Sequence, residues 1–316
     1  MRAIRVSRFG DPSVLEEVES PTPEPRAGEL RVRVTAVGVG WLDTLIRRGE
    51  GPEVFGIEPP YVPGGAVAGT VEAVGAEVDE TWLGKRVVTS ATGGYGGGYA
   101  DTVLSLPDGV FPIPEGLDPR HAVALLDDGS TALALLERTP VQAGERVLVA
   151  PGVGGLGSLL TQLLTAAGAT VVAAVRGGEK AAIARKLGAE PLDYSVDEDL
   201  SGGGTFDVVF DGVGGKLGAS AVALLADGGR FSGYGMSSGA ETVIGAEDRN
   251  RLTIVDMAQL PEFWSETPRR VREVLRLAAD GALTPIIGRT YPLAEASAAH
   301  ADIEARRFTG KLLLLP

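Results

Sequence analysis

The feature that most constrains this chain is a glycine-rich turn between an apolar strand and a helix. Residues 152–157 read Gly-Val-Gly-Gly-Leu-Gly and follow the apolar segment 147–150 almost directly. In a G-x-G-x-x-G turn, glycines permit the sharp bend, the approach of backbone N–H groups to a pyrophosphate, and close helix–strand packing. The positive end of the helix dipole favours the same anion. The pattern therefore predicts that Gly152, Gly154, Gly155, Leu156 and Gly157 bind a dinucleotide, against the alternative of a merely tight turn.

The end of the next strand indicates which dinucleotide is bound. NAD enzymes place Asp or Glu there, against the ribose 2'-hydroxyl. Here the predicted strand 170–175 ends in Arg176, and Lys180 follows four residues later. A guanidinium attracts a 2'-phosphate and stacks on adenine, whereas a carboxylate repels the phosphate. We expect NADPH rather than NADH; the alternative is that both cations are solvated surface residues.

The rhythm of the chain changes near residue 117. Before it, short β-strands are predicted at 30–36, 68–74 and 86–90, and the proline-rich segment 20–25 is predicted to be an extended surface connection. After it, strands alternate with helices, which indicates a doubly wound parallel sheet. The predicted strands are 146–150, 170–175, 190–193, 206–211, 230–234 and a sixth near 252–257. The predicted helices are 156–167, 179–187, 217–226, 268–279 and 294–305, and a terminal strand at 311–315 is expected to return to the N-terminal domain.

Length and composition set further bounds. At 316 residues, two domains are expected, residues 1–117 with 259–316 and residues 118–258. A net charge of -13 argues against nucleic acid and membrane as partners, and a signal peptide or membrane span is not expected, so we predict a cytoplasmic protein. The absence of cysteine excludes disulfides, thiolate zinc sites and a cysteine nucleophile. No metal site is predicted, and we assign no catalytic role to His121 or His300.

A series of different short motifs extends along nearly the whole chain. They are Met1-Arg2-Ala3-Ile4 with Phe9-Gly10, residues 38–44 with Arg47 and Gly49, Pro63-Gly64, residues 69–75, residues 84–87, Gly129-Ser130-Thr131-Ala132, residues 206–211, Gly214-Gly215, Gly228-Gly229-Arg230 and Thr309-Gly310-Lys311. Their order and spacing resemble the zinc-free, quinone oxidoreductase (zeta-crystallin-like) branch of the medium-chain dehydrogenase/reductase superfamily.

The resemblance implies an α/β protein with a GroES-like β-rich catalytic domain and a Rossmann domain that binds NADPH. It also implies a homodimer and a small-molecule substrate. By carry-over, Thr131 lies near the nicotinamide, and Tyr194 joins Arg176 and Lys180 around the 2'-phosphate. The remaining cofactor contacts that it implies are Gly40, Trp41, Leu42, Gly212, Val213, Tyr234, Gly235 and Lys311.

Departures from the family pattern concern the substrate more than the cofactor. Gly40 stands where Asn is common, Leu45 where Tyr is frequent, and Asp128 where Gln is frequent. Because Asp127 and Asp128 precede the expected helix start at Gly129, we interpret them as a helix cap, with substrate orientation by Asp128 as the alternative. Tyr61 is a weakly supported hydroxyl candidate for proton donation. Apolar walls for a flat substrate could be formed by Trp41, Phe55, Met236, Phe263 and Trp264, but we favour the interpretation of each as an ordinary core or interface residue.

Three functions remain open on this basis. The first is hydride transfer from NADPH to a quinone without zinc, which leaves an anion that solvent can protonate. The second is reduction of an enone or enoyl double bond, which requires a proton donor near the α-carbon. The third is a non-catalytic NADPH-binding protein.

Overall fold

The computed structural model describes residues 1–51, 56–92, 96–196, 199–256 and 264–316. The chain divides into two compact units. Unit 1 comprises residues 1–127 and 271–316, and unit 2 comprises residues 128–270. Each unit is described separately below.

Unit 1 is built mainly from antiparallel strands. In β3 (Leu30–Val39), Leu30, Val32 and Val34 are buried while the residues between them are more accessible, as the period of a half-buried strand requires. The other strands are β1 (Arg2–Val6), β2 (Leu15–Glu19), β4 (Ala66–Val74), β5 (Arg86–Ser90), β6 (Thr102–Ser105), β7 (Val110–Pro112), β14 (Ile287–Pro292) and β15 (Lys311–Leu315). The main sheet has the order β14-β15-β3-β4-β5-β7, and β6 also pairs with β3.

The C-terminal strand completes this sheet. Leu312, Leu313 and Leu314 of β15 pair antiparallel with β3 and are fully buried. The prediction that the tail returns to the N-terminal domain is therefore confirmed. Two helices matter for the site below: α1 (Trp41–Arg48) follows β3, and α8 (Ala296–Glu304) precedes β15.

Unit 2 is a parallel sheet with helical crossovers. The strands formed by its described residues are β8 (Arg146–Ala150), β9 (Thr170–Val175), β10 (Glu190–Asp193), β11 (Phe206–Asp211), β12 (Leu225–Gly233) and β13 (Thr253–Asp256). Their order is β10-β9-β8-β11-β12-β13, and each neighbouring pair is parallel. The helices are α3 (Gly155–Ala166), α4 (Gly178–Lys186), α5 (Gly215–Ala223) and α6 (Ala246–Arg251). This is the Rossmann arrangement, whose strand order reverses between β8 and β11.

One helix starts far from where the sequence suggested. Helix α2 runs from Pro119 to Arg138, so Asp127 and Asp128 lie in its middle and Gly129 is not its start. The cap is Asp118: its carboxylate accepts a hydrogen bond from Arg120 N at 2.8 Å, and its carbonyl accepts one from Ala122 N at 3.0 Å. Pro119 suits the first helical position because its missing N–H has no intrahelical partner to lose. The interpretation of Asp127 and Asp128 as a cap is therefore wrong.

A second difference concerns the helix expected at 217–226. Helix α5 ends at Ala223, and β12 already begins at Leu225, which pairs with Phe206 across a register irregularity. Pairing with β11 outweighs the helical composition of residues 224–226. The sixth strand is confirmed at 253–256, although Met257 lies outside the described residues. Helix α7 (Thr267–Ala279) also agrees with the prediction.

Candidate functional site

Residues predicted to bind the cofactor follow the carboxyl ends of adjacent strands in unit 2. The turn 152–157 follows β8, Arg176 follows β9, Tyr194 follows β10, Gly212 and Val213 follow β11, and Tyr234 and Gly235 follow β12. Because these strands are parallel and neighbouring, the residues meet at one edge of the sheet, where open α/β folds bind their ligands.

The three glycines of the turn are required for different reasons. A Cβ on Gly152 would lie 2.4 Å from the Cβ of Ala173, and a Cβ on Gly157 would lie 1.8 Å from the carbonyl oxygen of Pro151. At both positions, atoms of the protein itself occupy the space that a side chain would need. A Cβ on Gly154, by contrast, would meet only Pro151 Cγ at 3.5 Å, an ordinary contact. Gly154 therefore borders open space at the N-terminus of α3, where backbone N–H groups are available to an anion.

Arg176 is held against an aromatic ring. Its guanidinium carbon lies 5.1 Å from the ring centroid of Tyr194, within the range of a cation–π interaction, and Tyr194 is buried. The following residue, Gly177, has a φ of 84° and donates its N–H to Asp193 at 3.2 Å. Lys180 lies in the first turn of α4, immediately after this bend. The structure thus brings the three residues predicted for the 2'-phosphate to the ends of β9 and β10.

The loop after β11 is fixed by a buried carboxylate. Asp211 accepts hydrogen bonds from Val213 N at 2.8 Å, Gly214 N at 3.0 Å and the Thr242 hydroxyl at 2.5 Å. A Cβ on Gly212 would lie 2.3 Å from the ring of Tyr234, so any larger residue here would have to displace that ring.

Asp128 and Thr131 lie on α2 in unit 2. They are three residues apart and therefore share one face of the helix, and both are half-buried. The structure supports their proximity to each other but places them within the helix rather than at its start.

The other predicted cofactor contacts belong to unit 1. Gly40 is the N-cap of α1, and Trp41 and Leu42 form its first turn. The side chain of Lys311 approaches the same segment, because its Cε lies 3.4 Å from the position of a Cβ on Gly38. The structure thus brings Gly40, Trp41, Leu42 and Lys311 together.

Sequence reasoning missed a buried polar group beside this segment, named here the Asp43 cluster: Asp43, Arg47, Tyr61, Tyr99 and His300. The Asp43 carboxylate accepts hydrogen bonds from Gly40 N at 2.8 Å and from the Tyr99 hydroxyl at 3.2 Å. The Tyr99 hydroxyl also lies 2.9 Å from His300 Nε2. Arg47 pairs with Glu304 of α8. In the sequence, this cluster was indicated only by the four-residue spacing of Asp43 and Arg47, which places both on one helix face.

Burial changes the titration of this cluster. Burial raises the pKa of Asp43 to about 6, against the lowering effect of the Gly40 N–H and Lys311. Burial, helped by the charge of Arg47, lowers the pKa of His300 to about 3, so its imidazole is neutral at physiological pH. Burial and the charge of Asp43 raise the pKa of Tyr61 and of Tyr99. The Tyr61 hydroxyl, the predicted proton donor, is buried without a hydrogen-bond partner among the described residues.

Other predicted features have mixed outcomes. Trp41 packs against the core of unit 1, Met236 is partly buried, and Trp264 is largely exposed, whereas Phe55 and Phe263 lie outside the described residues. His121 is partly exposed on α2.

Within the described ranges, the acidic and histidine side chains form no cluster of three or more suited to a metal ion. None of the helices described is both long and apolar enough to cross a membrane.

The sequence of this chain matches family models and curated relatives. The model described as "alcohol dehydrogenase GroES-like domain" matches residues 26–115, and the model described as "zinc-binding dehydrogenase" matches residues 187–314. Among curated relatives, a quinone oxidoreductase from Pseudomonas aeruginosa is 32% identical, covering 100% of this chain and 99% of the relative. A 2-haloacrylate reductase from a Burkholderia species is 34% identical, covering 97% and 96%.

Solved structures agree with these relatives. The Escherichia coli quinone oxidoreductase complexed with NADPH superimposes with a TM-score of 0.88 at 28% identity, and a mycobacterial protein complexed with NADPH does so with a TM-score of 0.88 at 34% identity. In both comparisons the match covers 100% of each chain. The fold is a GroES-like domain joined to a Rossmann domain, as predicted, and this chain belongs to the quinone oxidoreductase branch of the medium-chain dehydrogenase/reductase superfamily.

Proposed function

We propose that this chain is an NADPH-dependent oxidoreductase that transfers hydride to a quinone without using zinc. The observation that carries the proposal is the convergence of Gly154, Arg176 and Tyr194 at one edge of a parallel sheet. Gly154 leaves open space at a helix N-terminus, and Arg176 presents a positive charge on an aromatic support. These two features fit a pyrophosphate and a 2'-phosphate respectively.

The residues of this chain would bind and orient the cofactor. The turn 152–157 would hold the pyrophosphate through backbone N–H groups, and Arg176, Lys180 and Tyr194 would hold the 2'-phosphate. Thr131, Gly40, Trp41, Leu42, Lys311 and the loops at 212–213 and 234–235 would surround the remainder. When bound, NADPH supplies the hydride.

Zinc is not part of this proposal. Zinc-dependent members of the superfamily hold their metals with cysteine and histidine, and this sequence contains no cysteine and two histidines. His300 is fully buried and hydrogen-bonded to Tyr99. A quinone is the acceptor that best suits a site without a Lewis acid, because its two-electron product is a stabilised oxyanion.

A second candidate, reduction of an activated carbon–carbon double bond, is favoured by one observation. The Burkholderia relative is named 2-haloacrylate reductase and is as similar to this chain as the quinone oxidoreductases are. Such a substrate needs a proton at carbon, for which Tyr61 is the side chain that we proposed from the sequence; Asp128 was proposed only to orient the substrate. We further propose a homodimer in the cytoplasm.

The test is NADPH oxidation measured against a panel of quinones, enones and enoyl thioesters, with NADH as the cofactor control. Turnover with quinones and a preference for NADPH are expected. Turnover confined to enones or enoyl thioesters would replace the first candidate by the second. Tight NADPH binding without turnover on any acceptor would indicate the non-catalytic alternative.

A further inference from the structure

The Asp43 cluster contains a continuous hydrogen-bonded path. It runs from Asp43 Oδ2 to the Tyr99 hydroxyl over 3.2 Å and from that hydroxyl to His300 Nε2 over 2.9 Å. Asp43 is 5% exposed, and Tyr99 and His300 are not exposed at all. These are groups that gain and lose protons, and they are aligned in a buried environment. The cap of α1 explains Asp43 alone and does not explain the contact between Tyr99 and His300.

The path has the chemistry of a proton wire. A neutral imidazole donates through one nitrogen and accepts through the other, and a phenol hydroxyl does both. His300 is kept neutral by its burial and by the nearby positive charge of Arg47, which lower its pKa to about 3. Its second nitrogen, Nδ1, is buried and has no partner among the described residues, so no hydrogen bond from those residues commits the ring to one tautomer.

Asp43 is the end of the path nearest the residues of unit 1 that are proposed to contact the cofactor. Its carboxylate accepts from Gly40 N, so it lies against the segment formed by Gly40, Trp41 and Leu42. Its pKa of about 6 is the one in the cluster that lies near neutrality. Charged and titratable groups face the path from each element packed around it: Lys311 of β15, Asp127 of α2, Tyr61, Arg47 of α1 and, paired with Arg47, Glu304 of α8.

We propose that Asp43, Tyr99 and His300 form a proton relay that supplies the proton consumed when the acceptor is reduced. This inference rests on the proposed function. It assigns Asp43 as the relay residue on the acceptor side, in preference to Tyr61, whose raised pKa makes it the weaker acid.

The step balances without an additional reactant. The Asp43 O–H bond breaks, and its proton forms the new O–H or C–H bond of the reduced acceptor, whose electron pair came from NADPH as hydride. The carboxylate then takes the Tyr99 proton, and Tyr99 takes the proton from His300 Nε2. Nδ1, which is buried and closed to bulk solvent, takes one from a water molecule that enters the cluster between turnovers. NADPH, one proton and the acceptor become NADP⁺ and the reduced acceptor, and no residue remains charged beyond its starting state.

The first test is Asp43→Asn, with Asp108→Asn as the matched control. The introduced amide oxygen would still accept from Gly40 N and Tyr99, so the fold is retained, while the titratable proton is removed; Asp108 is an exposed carboxylate in a surface turn. With the acceptor that the wild type reduces fastest, wild-type kcat should fall as pH rises through about 6. In Asp43→Asn this dependence should disappear and kcat at pH 6 should fall by roughly 100-fold, on the scale of general acid catalysis. NADPH affinity and the control variant should be unchanged.

The second test is Tyr99→Phe, which keeps the buried ring and removes the hydroxyl. The Tyr99 hydrogen bond lowers the pKa of Asp43, so its loss should shift the descending limb of the pH profile to higher pH. The interrupted relay should also lower kcat by about tenfold at unchanged KM for NADPH. A fall in Tm with the wild-type kcat and pH profile in both variants would show a purely structural role and overturn the relay.

Failure of the relay is distinguishable from failure of the proposed function. Wild-type protein that reduces no acceptor contradicts the proposed function. The relay is then judged by the Asp43 carboxyl resonance, followed by carbon-13 NMR in the wild type and Tyr99→Phe. A titration near pH 6 that moves upward in the variant supports the coupled pair. A titration near the ordinary aspartate value of about 4 in both proteins overturns it.

Discussion

At the scale of the residue, Arg176 and Gly154 matter because each offers something to a ligand: a positive charge and an open space. Arg176 extends from the end of a strand onto the ring of Tyr194, and Gly154 leaves a Cβ-sized space open at the start of α3. The space beside Gly154 is not filled by the packing of unit 2. Both features are explained by a phosphorylated ligand, which is why each can be tested without unfolding the chain.

Arg176→Ala should weaken NADPH binding by roughly 1.5 to 3 kcal/mol, the scale of a charge-assisted hydrogen bond, or about ten- to hundredfold. Affinity for NADH, which lacks the 2'-phosphate, should hardly change. Cofactor titration by fluorescence measures both, with Arg185→Ala on the exposed side of α4 as the control. Equal losses for the two cofactors would contradict the 2'-phosphate assignment.

Gly154→Val should abolish NADPH binding while the protein stays folded, because the new side chain occupies space that the protein leaves open. Gly157→Ala should have a different effect and lower the stability of the fold. Its Cβ would lie 1.8 Å from a backbone carbonyl oxygen. We therefore expect a loss of stability on the order of 3 kcal/mol. Thermal unfolding and cofactor titration of both variants separate the two roles. A folded Gly154→Val protein that binds NADPH normally would refute the pyrophosphate site.

At the scale of the element, helix starts decide which side chains reach the site. Helix α1 begins at Trp41 because Asp43 reaches back to Gly40 N, and it ends where Gly49 adopts a φ of 79°. This cap aligns Asp43 and Arg47 on one face. Helix α2 begins at Pro119, so Asp128 and Thr131 lie within the helix and not at its start. They lie on the same helix face because they are three residues apart.

Asp118→Ala should destabilise α2 by about 1 kcal/mol, the usual effect of losing an N-cap. The side-chain hydrogen bonds with Arg120 lower the pKa of Asp118 to about 2, below its value near 4 in the unfolded chain. The stabilisation is therefore fully present above about pH 4 and is lost as pH falls towards 2. The Tm difference between wild type and variant should be clear at about pH 7 and should shrink by about pH 3. A difference that is constant with pH would show that the carboxylate charge is not involved.

At the scale of the whole molecule, two differently built units carry the predicted contacts. Gly40, Trp41, Leu42 and Lys311 belong to unit 1, near β3 and β15, and the predicted contacts at the edge of the parallel sheet belong to unit 2. Both are stabilised by their own apolar cores.

Prolonged treatment with a metal chelator should change neither activity nor Tm. Thiolate ligands are absent from the chain, and one of its two histidines is buried within the Asp43 cluster. NADPH oxidation and thermal unfolding before and after dialysis against chelator provide the measurement, with a zinc-dependent alcohol dehydrogenase as the positive control. Inactivation that is reversed by added zinc would contradict a zinc-free mechanism.

The sequence by itself determined the fold class, the Rossmann strands and the glycine-rich turn at residues 152–157. These depend on local patterns: apolar strands, glycine spacing and the residue that follows each strand. The start of α2 has a local signal, Asp118 followed by Pro119, which sequence reasoning missed. Only the tertiary structure decided the early beginning of β12 and the Asp43 cluster. Asp43, Tyr99 and His300 come from three distant segments, and the pKa values of Asp43 and His300 are shifted first by burial and then by neighbouring groups such as Lys311 and Arg47. Neither burial nor proximity across 257 residues is encoded in a local pattern, because both exist only once the chain has packed.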